Sequence, residues 1–560
     1  MNKDKKSLLI ISVIILLFTI PYLNMAYHVD ADWFMDIADQ IVKNPLRAYS
    51  GYSDIGSFSG IAKNFDGNST PLVSYYLAFI FLLFGHSEIA VHASYILFYL
   101  MIGFSFYYLS KRFVSKPLLS TLILISTVSF VVMSHNIMLD VPMMGILLVS
   151  ITLFIYGVDK GNHLLMAVGS IFAGFAYLAK PNGIISVPLL ILYALLRKKY
   201  KYIPYIFVSI SLIALWSWQT YAFEHRIWII EHLPHLYKLK SSLNFNIVAA
   251  YIFTNISYIG GATIFPFFFL YPFILEKRNK IILGLTLLFM TIVSIGLYFI
   301  SSKFVSGQYT IFHLILFVSF TTSFAFFIIN VLVEYRKEII NCTIGIVKNK
   351  HANCNNDLFF LLVWLFGIYL FNSIISGGSA KYVTLIIPPL ILVFSIISQQ
   401  YATRFQINHR KLLLVIFLTS AIVSIAVSYA DYQYADVYRD FSYNIAKKFQ
   451  TESNTVWYNG FYGFRYYMRK QNHPILSVQS NEPKVGDFVI VARIPSPRPL
   501  SEKLKKRINP IQTISYKGGF PIRTQSPISH AGFYTYGGGF LPYSFSNGNL
   551  ESFDVYYVNK

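Results

Sequence analysis

The chain has 560 residues, of which 55% are hydrophobic, 18% aromatic and only 13% charged. A soluble domain carries about a quarter charged residues, so the composition excludes a soluble globular protein and implies an integral membrane protein. The net charge of +21 does not point to nucleic acid, because most lysines and arginines cluster between apolar runs.

A membrane-crossing helix needs about 20 largely apolar residues. Thirteen stretches are candidates: 7–27, 88–110, 117–134, 141–158, 163–179, 184–196, 202–222, 256–275, 281–300, 309–332, 357–374, 383–398 and 412–429. The first follows Lys3, Lys5 and Lys6 but lacks a small-residue cleavage site, so it reads as an uncleaved span. The apolar run 71–84 is too short to cross and reads as an interfacial or re-entrant helix. Clusters such as Lys111-Arg112, Arg197-Lys198-Lys199, Arg336-Lys337 and Arg410-Lys411 then share the side of the N-terminus, which the positive-inside rule makes cytoplasmic. An odd number of spans puts the loop 28–87 and the polar tail on the extracytoplasmic side of the cell membrane. The expected division is a transmembrane catalytic domain, 1–429, and an extracytoplasmic domain, 430–560. Alternating runs in the tail, FVIVARI and FDVYYV, predict a small mixed α/β fold. The two cysteines, Cys342 and Cys354, imply no disulfide framework.

Short polar elements gather on the extracytoplasmic face. In HVDADWFMDIADQI, residues 28–41, Trp33, Phe34, Ile37 and Ile41 form an apolar stripe beside Asp32, Asp36 and Asp39. That pattern predicts a helix lying at the interface with its acids exposed. Asp30 and Asp32 stand at its start, where a helix cap and a catalytic acid are equally natural. SHNIMLDVPMM joins the third and fourth spans and carries His135 and Asp140; AKPNG joins the fifth and sixth and carries Lys180. SGGSAKYVTLIIPPL opens the twelfth span with Lys381 and Tyr382. Helix caps and snorkelling lysines account for each alone. Together they set carboxylates and ammonium groups on one surface, which suits a substrate with a lipid-borne phosphate: the ammoniums stabilise phosphate and the acids handle a reacting hydroxyl.

In that order the motifs resemble those of GT-C glycosyltransferases, the group of bacterial lipid A aminoarabinose transferases, protein O-mannosyltransferases and RgtA/B/C/D-like enzymes. The resemblance spans the first 430 or so residues and rests on Asp30-Ala-Asp-Trp-Phe-Met-Asp-Ile-Ala38, Ser69-Thr-Pro-Leu-Val-Ser-Tyr-Tyr-Leu…Phe84-Gly85, Leu139-Asp-x-Pro142, Lys180 and Lys381–Pro389. It implies an α-helical polytopic membrane enzyme that moves a sugar from a polyprenyl or dolichyl phosphate to a glycan, lipid or protein hydroxyl with inversion. Asp30 would be the general base, with Asp32 beside it. Lys180 and Lys381 would hold the phosphate, with Tyr382 and His135 contacting substrate, and Asp140 would orient the acceptor or help to bind a divalent metal ion. The chain departs from the pattern in two places. Ala31 separates acids that many members have adjacent, and Ser69-Thr70 replaces a His or Glu before the short helix. The second change removes an expected metal ligand, so no metal or other cofactor is assigned.

A transporter or flippase is the rival reading. Transporters place ionisable groups near the bilayer midplane, whereas the central apolar runs here are almost free of charge. Cys342, His351 and Cys354 share a loop without a zinc-type spacing. Glu224, His225, Glu231, His232 and His235 line another loop and fit an acceptor contact or a solvated face. In the tail, WYNGFYGFRYYM (457–468) and HAGFYTYGGGFLPYSFS (530–546) fit either sugar stacking or a plain aromatic core.

Overall fold

The computed structural model describes residues 3–49, 70–225, 227, 230, 245–269, 280–302, 310–347, 355–376, 378–476 and 482–559. Ser69, Glu231, His232, His235, His351 and Cys354 lie outside the described residues. The molecule is a polytopic helical membrane protein closed at one end by a small sheet domain. Among the described residues, 8 helices are long and apolar enough to cross a membrane, or up to 9 if one bent pair counts as a span. Thirteen spans are therefore not reached on length and composition.

The shortfall has local causes. The stretch 117–134 is two helices, Pro117–Ile125 and Val128–Ser134, bent by 59°. At the break, the Ser126 and Thr127 hydroxyls donate back to the Ile123 and Leu124 carbonyls (3.1 and 2.8 Å), a local hydrogen-bonding choice that competes with helix continuation. The stretch 256–275 breaks at Ile264, whose φ of 59° lies in the left-handed region. His163–Ala179 and Ser186–Leu196 are short apolar helices either side of a Pro181–Ile185 turn. Leu72–Phe84 is a 13-residue helix, as expected for a segment too short to cross. Near the end of the long helix Ile311–Val347, Cys342 is disulfide-bonded.

The helix Glu88–Phe113 fixes the long axis. At its far end, Lys111 pairs with Asp4 beside the N-terminus at 2.8 Å, and Arg112 binds both Asp159 (2.6 Å) and Asp357 (3.0 Å). At its near end, Glu88 accepts from the Tyr467 hydroxyl of the sheet domain at 2.6 Å. With a rise of about 1.5 Å per residue the two ends stand roughly 36 Å apart, a full bilayer. The N-terminus and the sheet domain therefore occupy opposite ends of the bundle.

The last helix of the bundle, His409–Asp440, runs unbroken past residue 429 and leads into the sheet domain. Four strands lie in the order Val456–Asn459, Phe488–Ala492, Asn549–Val558, Ile508–Lys517; the first pair is parallel and the others antiparallel. Two short ladders follow, Ile522–Arg523 with Ser544–Phe545 and Gln525–Ser526 with Ala531–Gly532. Phe441 stacks on Phe553 at 3.7 Å, continuing the bundle's apolar core into the sheet.

The helix Ala31–Lys43 forms where periodicity predicted it, but its acids are not exposed. Asp32 is fully buried and Asp36 nearly so, because the sheet-domain helix Tyr462–Lys470 covers them. Arg465 Nε donates to Asp32 at 2.5 Å and Arg465 Nη2 to Asp36 at 3.1 Å; Arg469 also pairs with Asp36. Arg465 lies 4.5 Å over the Trp33 ring as well. The amphipathic pattern gave the helix but could not show a second, cationic face arriving from more than 400 residues away. Gly463 permits that approach: a Cβ there would meet the Tyr27 carbonyl oxygen at 2.1 Å.

Burial also acts on two carboxyls of this region. It pushes Asp32 up to about 7, against the pull of Arg465, and Glu551 up to about 7, against hydrogen bonds from Ser552, Tyr438, Ile494 and Arg493. For Glu551 the fold thus prefers the protonated form relative to the unfolded value of 4.5. Its contribution to stability is complete below that value and is lost as pH rises through about 7. Glu551→Gln is expected to flatten the fall in thermal midpoint between about pH 5 and 8, leaving the part due to Asp32. An unchanged slope would show that Glu551 does not titrate in this range.

Candidate active site

A cavity of about 300 Å³ opens where the bundle meets the sheet domain. The bundle side supplies Asp30, Ser379, Lys381, Tyr382, Tyr434 and Tyr438; the sheet domain supplies Tyr462, Ser496, Gln525, Tyr534 and Thr535. Three lining residues that are not glycine hold positive φ: Val29 at 51°, Tyr462 at 60° and Ser496 at 49°. Left-handed backbone in a β-branched residue costs on the order of 1–3 kcal/mol, and such conformations cluster at functional sites. At Val29 it delivers Asp30 to the cavity.

Asp30 occupies the N-cap position of Ala31–Lys43, yet its side chain makes no capping bond. Instead Lys381 Nζ donates to Asp30 Oδ2 at 3.0 Å. Lys381 lies in a 3₁₀ turn, Ala380–Leu385, pinned from both sides. Its amide donates to the Phe533 carbonyl of the sheet domain at 2.9 Å, and the Ser129 hydroxyl donates to the neighbouring Ala380 carbonyl at 3.2 Å. Burial works against the Lys381 ammonium, but Asp30, Tyr382 and Asp140 more than offset it and hold its pKa above the ordinary lysine value.

Asp140 sits in the first turn of Asp140–Lys160, and Lys180 follows His163–Ala179. Lys180 Nζ donates to Asp140 Oδ1 at 2.6 Å, with side-chain exposures of 12% and 2%, so neither behaves as a solvated helix end. The two ion pairs meet at Tyr382: Lys180 Nζ is 4.8 Å from its ring centroid and Lys381 Nζ 5.5 Å. Asp30, Asp140, Lys180, Lys381 and Tyr382 are thus brought together, from four segments spread over 350 residues of sequence.

Asp32 and His135 are placed elsewhere. Asp32 faces Arg465, as described above. His135 is 3% exposed, bonds the Phe18 carbonyl through Nε2 at 2.8 Å and stacks on Tyr22 at 4.1 Å, packed between helices outside the cavity. Asn136 is the member of that turn that reaches the cavity wall, donating to the Tyr534 hydroxyl at 2.8 Å.

Two buried carboxylates back the cavity's tyrosines, and sequence reasoning passed over both. Asp431 accepts from Tyr534 (2.5 Å), Thr524 (2.6 Å) and Asn136 (3.2 Å), with His28 Nε2 at 3.3 Å. Glu551 accepts from Tyr438 at 2.9 Å. The signal available for Asp431 was an acid at the end of an apolar span, in the tyrosine-rich run SYADYQYADVYRD; Glu551, on a strand, gave none. Among the described residues, no three His, Cys, Asp or Glu side chains are grouped to hold a metal ion. Asp30 and Asp140 each face a lysine, so a divalent cation does not fit this arrangement.

Residues 68–219 match the profile of the family described as dolichyl-phosphate-mannose-protein mannosyltransferase. The matched stretch includes Asp140 and Lys180 but neither Asp30 nor Lys381. No curated protein matches the chain. Among solved structures, ArnT from Cupriavidus metallidurans in the apo state is similar at 13% identity and a TM-score of 0.38, over 87% of this chain and 92% of that one. The same protein bound to undecaprenyl phosphate aligns at 14% identity and a TM-score of 0.40, over 87% and 93%.

Proposed function

We propose that the protein is an inverting glycosyltransferase that takes a sugar from a polyprenyl or dolichyl phosphate and passes it to a hydroxyl on the extracytoplasmic face. The observation that carries this reading is the meeting of the Asp30–Lys381 and Asp140–Lys180 pairs around Tyr382, at a cavity open between bundle and sheet domain. The matched family profile supports a lipid-phosphate sugar donor. The basic clusters at the opposite end of the bundle support an extracytoplasmic cavity.

The chemistry runs as a charge exchange. An entering donor phosphate competes with Asp30 for Lys381 and with Asp140 for Lys180. The lysines then carry the phosphate, and Asp30 is released to act as base. The acceptor oxygen attacks the anomeric carbon and loses its proton to Asp30, while the bond from that carbon to the phosphate oxygen breaks. Lipid phosphate leaves with one more negative charge than the donor carried, and the two ammoniums stabilise it. Asp140, already bound to Lys180, positions that lysine. Asp32 belongs to the docking of the sheet domain and His135 to helix packing.

The test is transfer by the purified full chain in nanodiscs. Lys381→Ala removes a charge-assisted contact to the leaving phosphate and is expected to lower kcat/KM for the lipid donor by about a hundredfold. Unchanged kcat/KM would remove Lys381 from the phosphate site.

A further inference from the structure

The tyrosine-lined part of the cavity wall has a hydrogen-bonding polarity that can be read from its partners. Glu551 is 1% exposed and takes backbone N–H bonds from Ser552 (2.8 Å), Arg493 (3.1 Å) and Ile494 (3.2 Å). With three N–H donors around it, the ionised carboxylate, the form present above about pH 7, acts as an acceptor, and the Tyr438 hydroxyl spends its proton on it at 2.9 Å. Tyr434 and Tyr438 hydroxyls lie 2.7 Å apart. With the Tyr438 proton committed, Tyr434 is the donor in that bond, which leaves the lone pairs of its oxygen for the cavity. Tyr534 is polarised in the same sense, donating to Asp431 at 2.5 Å.

Two more polar atoms on this cavity lack partners among the described residues. Ser379, 1% exposed, has no hydrogen bond at its hydroxyl, and the Gln525 Oε1 atom is buried without one. Buried polar atoms left unpaired cost free energy, so such a set at a cavity wall marks where a ligand's polar groups belong. The set comes from three parts of the chain: the turn before Lys381, the last bundle helix and the sheet domain. It offers mainly acceptors. A ring carrying several hydroxyl hydrogens is complementary to it; an anionic group is not, since it would face lone pairs.

We propose that Ser379, Tyr434 and Gln525 form the subsite for the donor's sugar ring, and that Tyr438 and Glu551 are positioning residues that hold the Tyr434 hydroxyl hydrogen turned away from the cavity, so that its oxygen is a fixed acceptor. This rests on the glycosyltransferase reading and adds to it where the sugar sits and what reads it. The sheet domain then supplies part of the donor specificity rather than only a lid over the bundle.

The experiment compares binding of undecaprenyl phosphate, bare and carrying mannose, glucose, galactose or arabinose, to the full chain in nanodiscs. The wild type is expected to bind at least one sugar-bearing lipid more tightly than the bare lipid. Tyr434→Phe, Ser379→Ala and Gln525→Ala should each weaken that lipid about fivefold to tenfold, while the bare lipid, which reports on folding and on the lysines, binds as before. Glu551→Leu should lose the preference as Tyr434→Phe does, and Glu551→Gln, which keeps an acceptor, should retain most of it. Equal binding of sugared and bare lipid by the wild type overturns the subsite, as does parallel weakening of both lipids in Tyr434→Phe. If the wild type binds none of these lipids, the transferase reading itself fails, an outcome distinct from loss of the sugar preference.

Discussion

Asp30→Asn is expected to lower transfer from a lipid-phosphate sugar by roughly a thousandfold, the scale of a lost general base. The substitution keeps size and shape but removes the group that takes the acceptor's proton. It also removes the negative charge that Lys381 Nζ faces at Asp30 Oδ2, 3.0 Å away in the resting protein, leaving at most a neutral amide oxygen there. Lys381 then gives up no ion pair to take phosphate, so bare polyprenyl phosphate is expected to bind the variant at least as tightly as the wild type. A fall in kcat with undiminished lipid affinity separates loss of the base from loss of the fold. Near-normal turnover would remove Asp30 from the chemistry.

Arg465→Ala is expected to cost about 3–5 kcal/mol in the attachment of the sheet domain. Arg465 is 1% exposed and holds Asp32 and Asp36, themselves buried, while lying over Trp33. Truncating it strands Asp32 away from water while Arg469 still holds Asp36, and a buried pair matters most when one partner is left alone. Arg465→Lys should rescue little, because a single ammonium does not reproduce the fork that reaches both acids. Replacing both partners in Asp32→Leu with Arg465→Leu should recover part of the loss. Protease release of the fragment beyond residue 440 and the thermal midpoint measure this. Because the sheet domain carries the Phe533 carbonyl that pins Lys381, transfer should fall along with docking in Arg465→Ala. Wild-type proteolysis rates would show that other contacts suffice, among them the Tyr467–Glu88 hydrogen bond.

Much of the bundle side of the candidate site was legible in the sequence. Asp30, Asp140, Lys180 and Lys381 stood out because charge at the ends of apolar helices is costly to keep unpaired, and each proves to have an opposite charge as its partner. The helix over Ala31–Lys43 and the short Leu72–Phe84 followed from periodicity and length. What the sequence hid were the consequences of long-range contact. Asp32 resembled Asp30 in its local setting, and only the arrival of Arg465 separates a docking acid from the one in the cavity. His135 looked like a turn histidine at a membrane surface until Phe18 and Tyr22 enclosed it. Among the described residues, thirteen spans are not reached on length and composition at places where hydropathy is blind: a hydroxyl-bonded bend at Ser126-Thr127, a left-handed Ile264, and a proline turn between two short apolar helices. Glu551 and Tyr438, 113 residues apart, carry no pattern that would pair them.

The most direct measurement is the release of lipid phosphate. Purified wild-type protein in nanodiscs would be given polyprenyl-phosphate sugars and an envelope extract as acceptor source, with mass spectrometry following the lipid. The account predicts that one such donor is converted to bare polyprenyl phosphate as its sugar appears on an acceptor, and that Asp30→Asn does neither. If every donor stays intact while the wild type, sealed in liposomes, moves a solute or lipid across the bilayer, the site is a transport pathway and the transferase account is wrong.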